Sequence, residues 1–289
     1  MSKKKNTHKR QDGIHEIWRR LKKNKMAMIS LFVLLAMFIL AILAPLLAPY
    51  EYEAQDKKHA LEGTTAEHLL GTDRLGRDIL SRLLYGARYS LEMGIISTGI
   101  ASIIGIILGA IAGYYGGKVD NFVMRFLDIY QGIPMMLLCV TLAAVLGASL
   151  KNAIIALGIS FVPGTARLMR ASILTVRDKE YIEAAKSVNA STFRIIAKHI
   201  IPNAIAPVIV SITMSIGTCI MSGSMLSFIG LGAQAPLPEW GAMISDARNY
   251  MRGNPTLALY PGVCIMIAVL AFNLLGDGLR DAMDPRLKN

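Results

Sequence analysis

Residues 180–203 read EYIEAAKSVNASTFRIIAKHIIPN, a polar, helix-prone stretch lying between two long apolar blocks. Apolar residues recur at helical spacing, first Tyr181, Ala184, Ala185 and Val188, then Ile195, Ile196, His199 and Ile200. That spacing predicts one apolar face on each of two short helices. Asn189 interrupts the run, and after Gly, Asn is the residue that best tolerates positive φ. Ser191 is placed to cap the second helix, and Pro202 is expected to stop it before the next apolar block. The stretch therefore reads as a helix–turn–helix bracket outside the membrane.

Working outward, the flanking blocks set the class. The chain has 289 residues, of which 53% are hydrophobic, with a mean hydropathy of +0.45. The apolar residues fall in blocks of about 20, the length that crosses a bilayer. Six spans are expected: 26–48, 91–113, 122–147, 152–169 (kinked or broken near Pro163-Gly164), 204–231 and 257–275. Gly105, Gly109 and Gly113 form a smooth stripe on the second span. Such a stripe marks close helix approach, within the bundle or with another subunit. Ser211, Ser215, Thr218 and Ser222 give the fifth span a small polar face, which either lines an aqueous path or packs helices.

The formal net charge is +11. Aromatic-interleaved basic patches are absent, so the charge argues for basic residues that hold loops on the cytoplasmic side rather than for nucleic acid. Segments assigned to the inside hold 22 Lys and Arg and those outside hold 9, which places both termini inside. Six of the nine fall in the first outside loop, a length of chain that weighs little in this rule. Residues 1–25 read as a basic tail leading into an interfacial helix, with Ile14, Ile17, Trp18 and Leu21 on one apolar stripe. Residues 49–89 read as a solvated extracytoplasmic loop with a short helix. Residues 90–280 read as the core, and 281–289 as a cytoplasmic tail.

Chemistry-bearing motifs are scarce. GYYGGK at 113–118 is not a phosphate-binding loop, since that pattern needs Gly at Ala112, Ser or Thr at Val119, and a preceding strand. The five histidines are scattered, no HExxH or GxSxG occurs, and the three cysteines sit singly in apolar blocks. Asp128, Asp277 and Asp281 lie near span ends, where pairing with Arg125, Arg280 or Arg286 is easy. No span carries a central carboxylate, which argues against a proton-driven secondary transporter.

Glu183-Ala184-Ala185 followed by Pro202 resembles the EAA loop of binding-protein-dependent ABC importer permeases, with Asn189 where that pattern has Gly and Ile201 where it has Leu. HLLGTDRLGRDILSRLLYGAR, SFIGLGAQAPLPEWG and AFNLLGDGLRDAMDPRL are similar to further segments of the peptide/opine/nickel branch, in the same order. The resemblance implies an all-α polytopic membrane protein of the type I importer permease fold: six transmembrane helices, an N-terminal interfacial helix and a cytoplasmic coupling helix pair. It implies a bacterial plasma-membrane location and a second, homologous permease subunit. Two ATPase subunits would carry ATP and Mg, and an external binding protein would deliver peptides, with nickel chelates or opines as the alternative cargo. This chain itself would hold no cofactor and catalyse nothing. Glu183, Ala184, Ala185, Asn189, Ile201 and Pro202 would form the coupling loop.

Overall fold

The computed structural model describes residues 15–284. Among these there is no strand, only an isolated bridge between Thr72 and Asp78. Expectations for Lys3–Arg10, Ile14 and Arg286 fall outside the described residues.

Residues 15–21 form a short helix, α1. Helix α2, Lys25–Leu47, opens with the Asn24 side chain accepting from the Ala27 N–H. Helix α3 spans Ile79–Tyr115. Helices α4, Gly117–Gln131, and α5, Met135–Leu146, follow with an 82° bend between them. Helix α6 is Leu150–Leu174. The bracket comprises α7 (Glu180–Ser187), α8 (Thr192–Arg194), a π-helical stretch Ile195–Ile200, and α9 (Ile201–Ala204). Helices α10, Ala206–Phe228, α11, Trp240–Ala247, and α12, Thr256–Met283, complete the order. Helices α2, α3, α6, α10 and α12 are each long and apolar enough to cross a membrane, and the bent α4/α5 pair makes a sixth, broken span.

The helices differ from the expected spans in several places. The helix of the second span starts well before 91: α3 begins at Ile79, capped by the Asp78 carboxylate accepting from the Ser81 N–H, and its 37 residues extend about 55 Å. That exceeds the ~30 Å hydrocarbon thickness, so its first turns project beyond the membrane, and the expected boundary at 89 falls within the helix. The third span is not continuous, because Pro134 supplies no N–H and steers Ile133 out of the helical region. Conversely, α6 is not broken at Pro163; the ring is buried and the helix continues through it, as neighbouring helices permit in a bundle. The C-terminal tail does not begin at 281, since α12 persists to Met283.

The glycine stripe on α3 packs inside this chain. A Cβ at Gly109 would lie 2.3 Å from the Ala166 carbonyl oxygen, and one at Gly105 would lie 2.7 Å from Thr165 Cβ, both on α6. Glycine lets the two backbones approach to a distance no larger residue permits.

The segment 49–78 is folded rather than merely solvated. The Arg77 guanidinium pairs with Asp73 at 2.6 Å and Asp246 at 3.1 Å. Arg82 donates to the Tyr52 and Pro236 carbonyls, and His68 meets Asp78 at 3.0 Å in a buried contact. Glu239, fully buried, accepts from Ser90 and Ser224 and caps α11 through the Ala242 N–H. These bonds satisfy charges that would otherwise be costly to bury. They also remove Arg77 and Arg82 from the count of free charges in this segment.

Candidate coupling site and path

Helix α7 starts without a side-chain cap, but Glu180 and Glu183 sit in its first turn, where negative charge complements the helix dipole. Its end is closed by a Schellman arrangement: the Asn189 N–H donates to the Lys186 carbonyl and the Ala190 N–H to the Ala185 carbonyl. The αL position this requires is Asn189 itself, at φ 56°. Ser191 Oγ then accepts from the Arg194 N–H and starts α8. The turn chemistry expected of Asn189 and Ser191 is present.

Pro202 does not stop the second helix. It occupies the first turn of α9, and the chain stays helical to Ala204, breaking only at Ile205. The π-helical stretch before it shifts the hydrogen-bond register, so the donor that proline lacks is not demanded in an α-helical ladder.

The buried face also differs from expectation. Ile182 and Ala185 on α7, with Ile195, Ile200 and Ala204, pack against Ala110, Met169, Ile173, Val176 and Val208 from the ends of α3, α6 and α10. Ala185 is buried as expected. Tyr181, Ala184 and Val188 face outward instead, and Ile196 and His199 are only half-buried. Ile182, absent from the expected stripe, is fully buried. The reason is the starting phase: an 8-residue helix has two turns, and its stripe can be drawn through 181/184/188 or 182/185 with similar regularity. Phe193, also unforeseen, is 81% exposed, and Val188 is 78% exposed. Tyr181, Val188 and Phe193 are thus apolar side chains left exposed on an element anchored from behind.

The remaining candidates fall as follows. Glu183 is exposed, and its carboxylate makes no ion pair among the described residues. Ala184 faces out while Ala185 faces in, and Ile201 and Pro202 are half-buried at the root of α9. The bracket is tied to the bundle by Arg177, which donates to the Gly113 carbonyl at 3.0 Å. Nearby, Arg170 grips Asp120 and Arg167 meets Asp128 at 2.6 Å, fastening α4 to α6. Asp128 therefore pairs with Arg167, not with the expected Arg125, which lies three positions earlier on the same helix. Asp281 accepts from Asn24, and Asp277 lies 4.0 Å from Arg280. On α1, Leu21 and Ile17 pack against Ala27, Leu279 and Ala282, leaving Trp18 exposed with Lys22 over its ring.

A cavity of about 590 Å³ opens beside the bracket. Ser211, Ser215 and Thr218 of α10 line it with Met214, facing Leu168 of α6 and Arg280 of α12. Ser222, the fourth residue of the expected polar face, is buried and does not line it. One turn further along α10, Gly223 packs against Met93 of α3, which closes that side.

Comparison with known proteins gives a consistent result. The chain is 46% identical over 274 residues to the dipeptide transport system permease protein DppC of Alkalihalophilus pseudofirmus, covering 95% of this chain and 90% of the relative. It is 44% identical over 275 residues to the glutathione transport system permease protein GsiD of Escherichia coli, covering 95% and 91%. Its fold is similar to an inward-facing structure of the MetNI methionine ABC transporter, with a TM-score of 0.58 at 23% identity, covering 71% of this chain and 98% of that one. Residues 14–63 match the N-terminal TM domain of oligopeptide transport permease C. Residues 105–289 match the model of the binding-protein-dependent transport system inner membrane component, and with these relatives the chain belongs to that family of multi-pass membrane permeases.

Proposed function

We propose that this chain is one permease subunit of an ATP-driven importer that moves di- or oligopeptides inward. The relatives named for dipeptide and glutathione transport support a peptide cargo. In this reading both termini and the bracket face the cytoplasm, a second permease completes the path, two ATPase subunits hold ATP and Mg, and a binding protein docks at the far end. In this reading the nucleotide sites lie on the ATPase subunits, so energy reaches this chain mechanically.

The observation that carries the reading is the bracket. Its inner side is cemented to α3, α6 and α10 through Ile182, Ala185, Ile195 and Ile200, while its outer side presents Tyr181, Val188 and Phe193. An element fixed on one side and apolar on the other transmits a displacement as a rigid body. Tyr181, Val188 and Phe193 fit a groove on an ATPase subunit, with Glu183 as an adjacent polar contact and Ala184 allowing close approach. Asn189 holds the angle between α7 and α8, and Ile201 and Pro202 root the bracket in α10. The serine-lined cavity meets the bracket at Asn203 of α9, which runs into α10, so a push on the bracket reaches the wall formed by Ser211, Ser215 and Thr218 through its root. Its volume is in the range of pockets that enclose small ligands.

The test is purification from membranes in mild detergent, then ATP hydrolysis in vesicles with the binding protein. ATPase subunits should accompany the chain, and hydrolysis should rise with binding protein loaded with peptide. A chain that purifies alone and accumulates solute in vesicles without ATPase subunits would overturn the proposal.

A further inference from the structure

A groove of about 430 Å³ runs between α2 and α3 at the end of the bundle away from the bracket. Phe38 and Ile42 of α2 and Leu91 and Ile95 of α3 give it apolar walls, and Arg88 and Glu92 stand one helical turn apart on its α3 side. Both charged side chains are exposed, and neither makes an ion pair or side-chain hydrogen bond among the described residues. This is unlike the buried charges packed at this end: Asp73, Arg77, Asp78, Arg82 and Glu239 are all bonded.

Ile42 sits five residues before the end of α2, so Arg88 and Glu92 lie beside the last turns of an apolar helix. The outer surface of α2 is continuous apolar surface, with Phe32 at 74%, Ile42 at 73% and Leu46 at 82% exposure. Ile42 belongs both to that surface and to the groove wall, so the groove opens sideways onto the face that meets acyl chains. Unpaired charges of both signs beside so apolar a surface favour an occupant of complementary charge. A single occupant must offer an anion to Arg88, a cation to Glu92 and hydrocarbon to Phe38, Ile42 and Ile95.

We propose that the groove binds one phospholipid with a primary-ammonium headgroup, of the phosphatidylethanolamine class. The phosphate meets the Arg88 guanidinium, a planar donor suited to phosphate oxygens. The ammonium donates to the Glu92 carboxylate, and one acyl chain lies along Phe38 and Ile42. Phosphatidylglycerol offers the phosphate but only neutral hydroxyl donors to Glu92, without the ammonium charge that makes that hydrogen bond charge-assisted. Phosphatidylcholine offers a cation whose methyl groups leave no N–H to donate.

The full-length chain, with whatever subunits accompany it, is to be exchanged into detergent containing equal amounts of phosphatidylethanolamine, phosphatidylglycerol and phosphatidylcholine, and its retained lipid weighed by native mass spectrometry. Phosphatidylethanolamine should be preferred about tenfold, the order expected of one charge-assisted hydrogen bond. Glu92→Gln should abolish the preference over phosphatidylglycerol, and Arg88→Gln should lower retention of both. Both positions are exposed, and Ile42→Trp gives a further variant that fills the groove with the charges intact and should also expel the lipid. Equal retention of the three lipids, or an unchanged preference in Glu92→Gln, would overturn the proposal. So would a photoreactive residue at Phe38 that captures a protein subunit in place of a phospholipid.

Discussion

Asn189 carries the geometry of the bracket on one backbone angle. At φ 56° it occupies a region that Gly enters freely, Asn tolerates, and a β-branched residue enters only at a cost of roughly 1–2 kcal/mol or more. Asn189→Gly should therefore leave coupling intact. Asn189→Val should keep the subunits together yet lower the ratio of transport to ATP hydrolysed, measured in vesicles; an unchanged ratio would remove Asn189 from the coupling role. This residue was legible in the sequence because few residue types accept that conformation. Ile182 was not, because nothing local distinguishes 182/185 from 181/184/188 until the ends of α3, α6 and α10 are in place. A second residue-scale outcome concerns the exposed Asp56–His59 pair, 2.7 Å apart. The hydrogen bond to Asp56 raises the His59 pKa above 6.5, and the same bond lowers Asp56 below 3.8. The Asp56 contribution is present above 3.8 and fades as pH falls through its lowered folded value. The His59 contribution is present below 6.5 and is lost as pH rises through its raised value. The pair is thus fully formed between these limits, and NMR titration should place the His59 midpoint above 6.5, with Asp56→Asn bringing it down.

At the scale of elements, the bracket works because one face is glued and the other is free. Ile182→Ala removes a fully buried side chain and should loosen α7 by about 2–4 kcal/mol, read as faster amide exchange confined to residues 180–204. Val188→Ala with Phe193→Ala removes only exposed surface. The pair should leave exchange unchanged but weaken retention of ATPase subunits on purification by tenfold or more. If the two sets of variants behaved alike, the division into an anchoring and a docking face would fail. The α4/α5 elbow and the long α3 show what periodicity could and could not convey. Hydropathy located both segments, but it read through Gly132–Pro134, and it took DILSRLLYGAR for a short helix in a solvated loop, separate from the span, because that stretch is polar by composition. Those polar groups are instead consumed internally, Arg77 and Arg82 by Asp73, Asp246 and carbonyls, and Ser90 by Glu239. Which polar residues meet across 150 positions is a tertiary fact with no local signature.

For the whole molecule, the polarity of the chain follows from its two unlike ends. One end bears the bracket, the cavity and the α1–α12 contact; the other is a knot of buried ion pairs around Glu239 and Trp240. Span number and the order of family-like segments were legible because each depends on local composition. The split of the serine face was not, since Ser222 sits on the same stripe as Ser215 and is removed from the cavity only by where α3 crosses. The claim on which all this rests is that Tyr181, Val188 and Phe193 are the surface through which an ATPase subunit drives the chain. Cys139 and Cys219 are buried and Cys264 is half-buried, so a cysteine placed at Phe193 would be the most accessible thiol among the described residues. The most direct measurement is therefore crosslinking of Phe193→Cys in membranes of cells making the complete transporter. Coupling through the bracket predicts a covalent product with an ATPase subunit and loss of transport on its formation. Labelling of that thiol in intact cells by a membrane-impermeant reagent, with no product to an ATPase subunit, would contradict it.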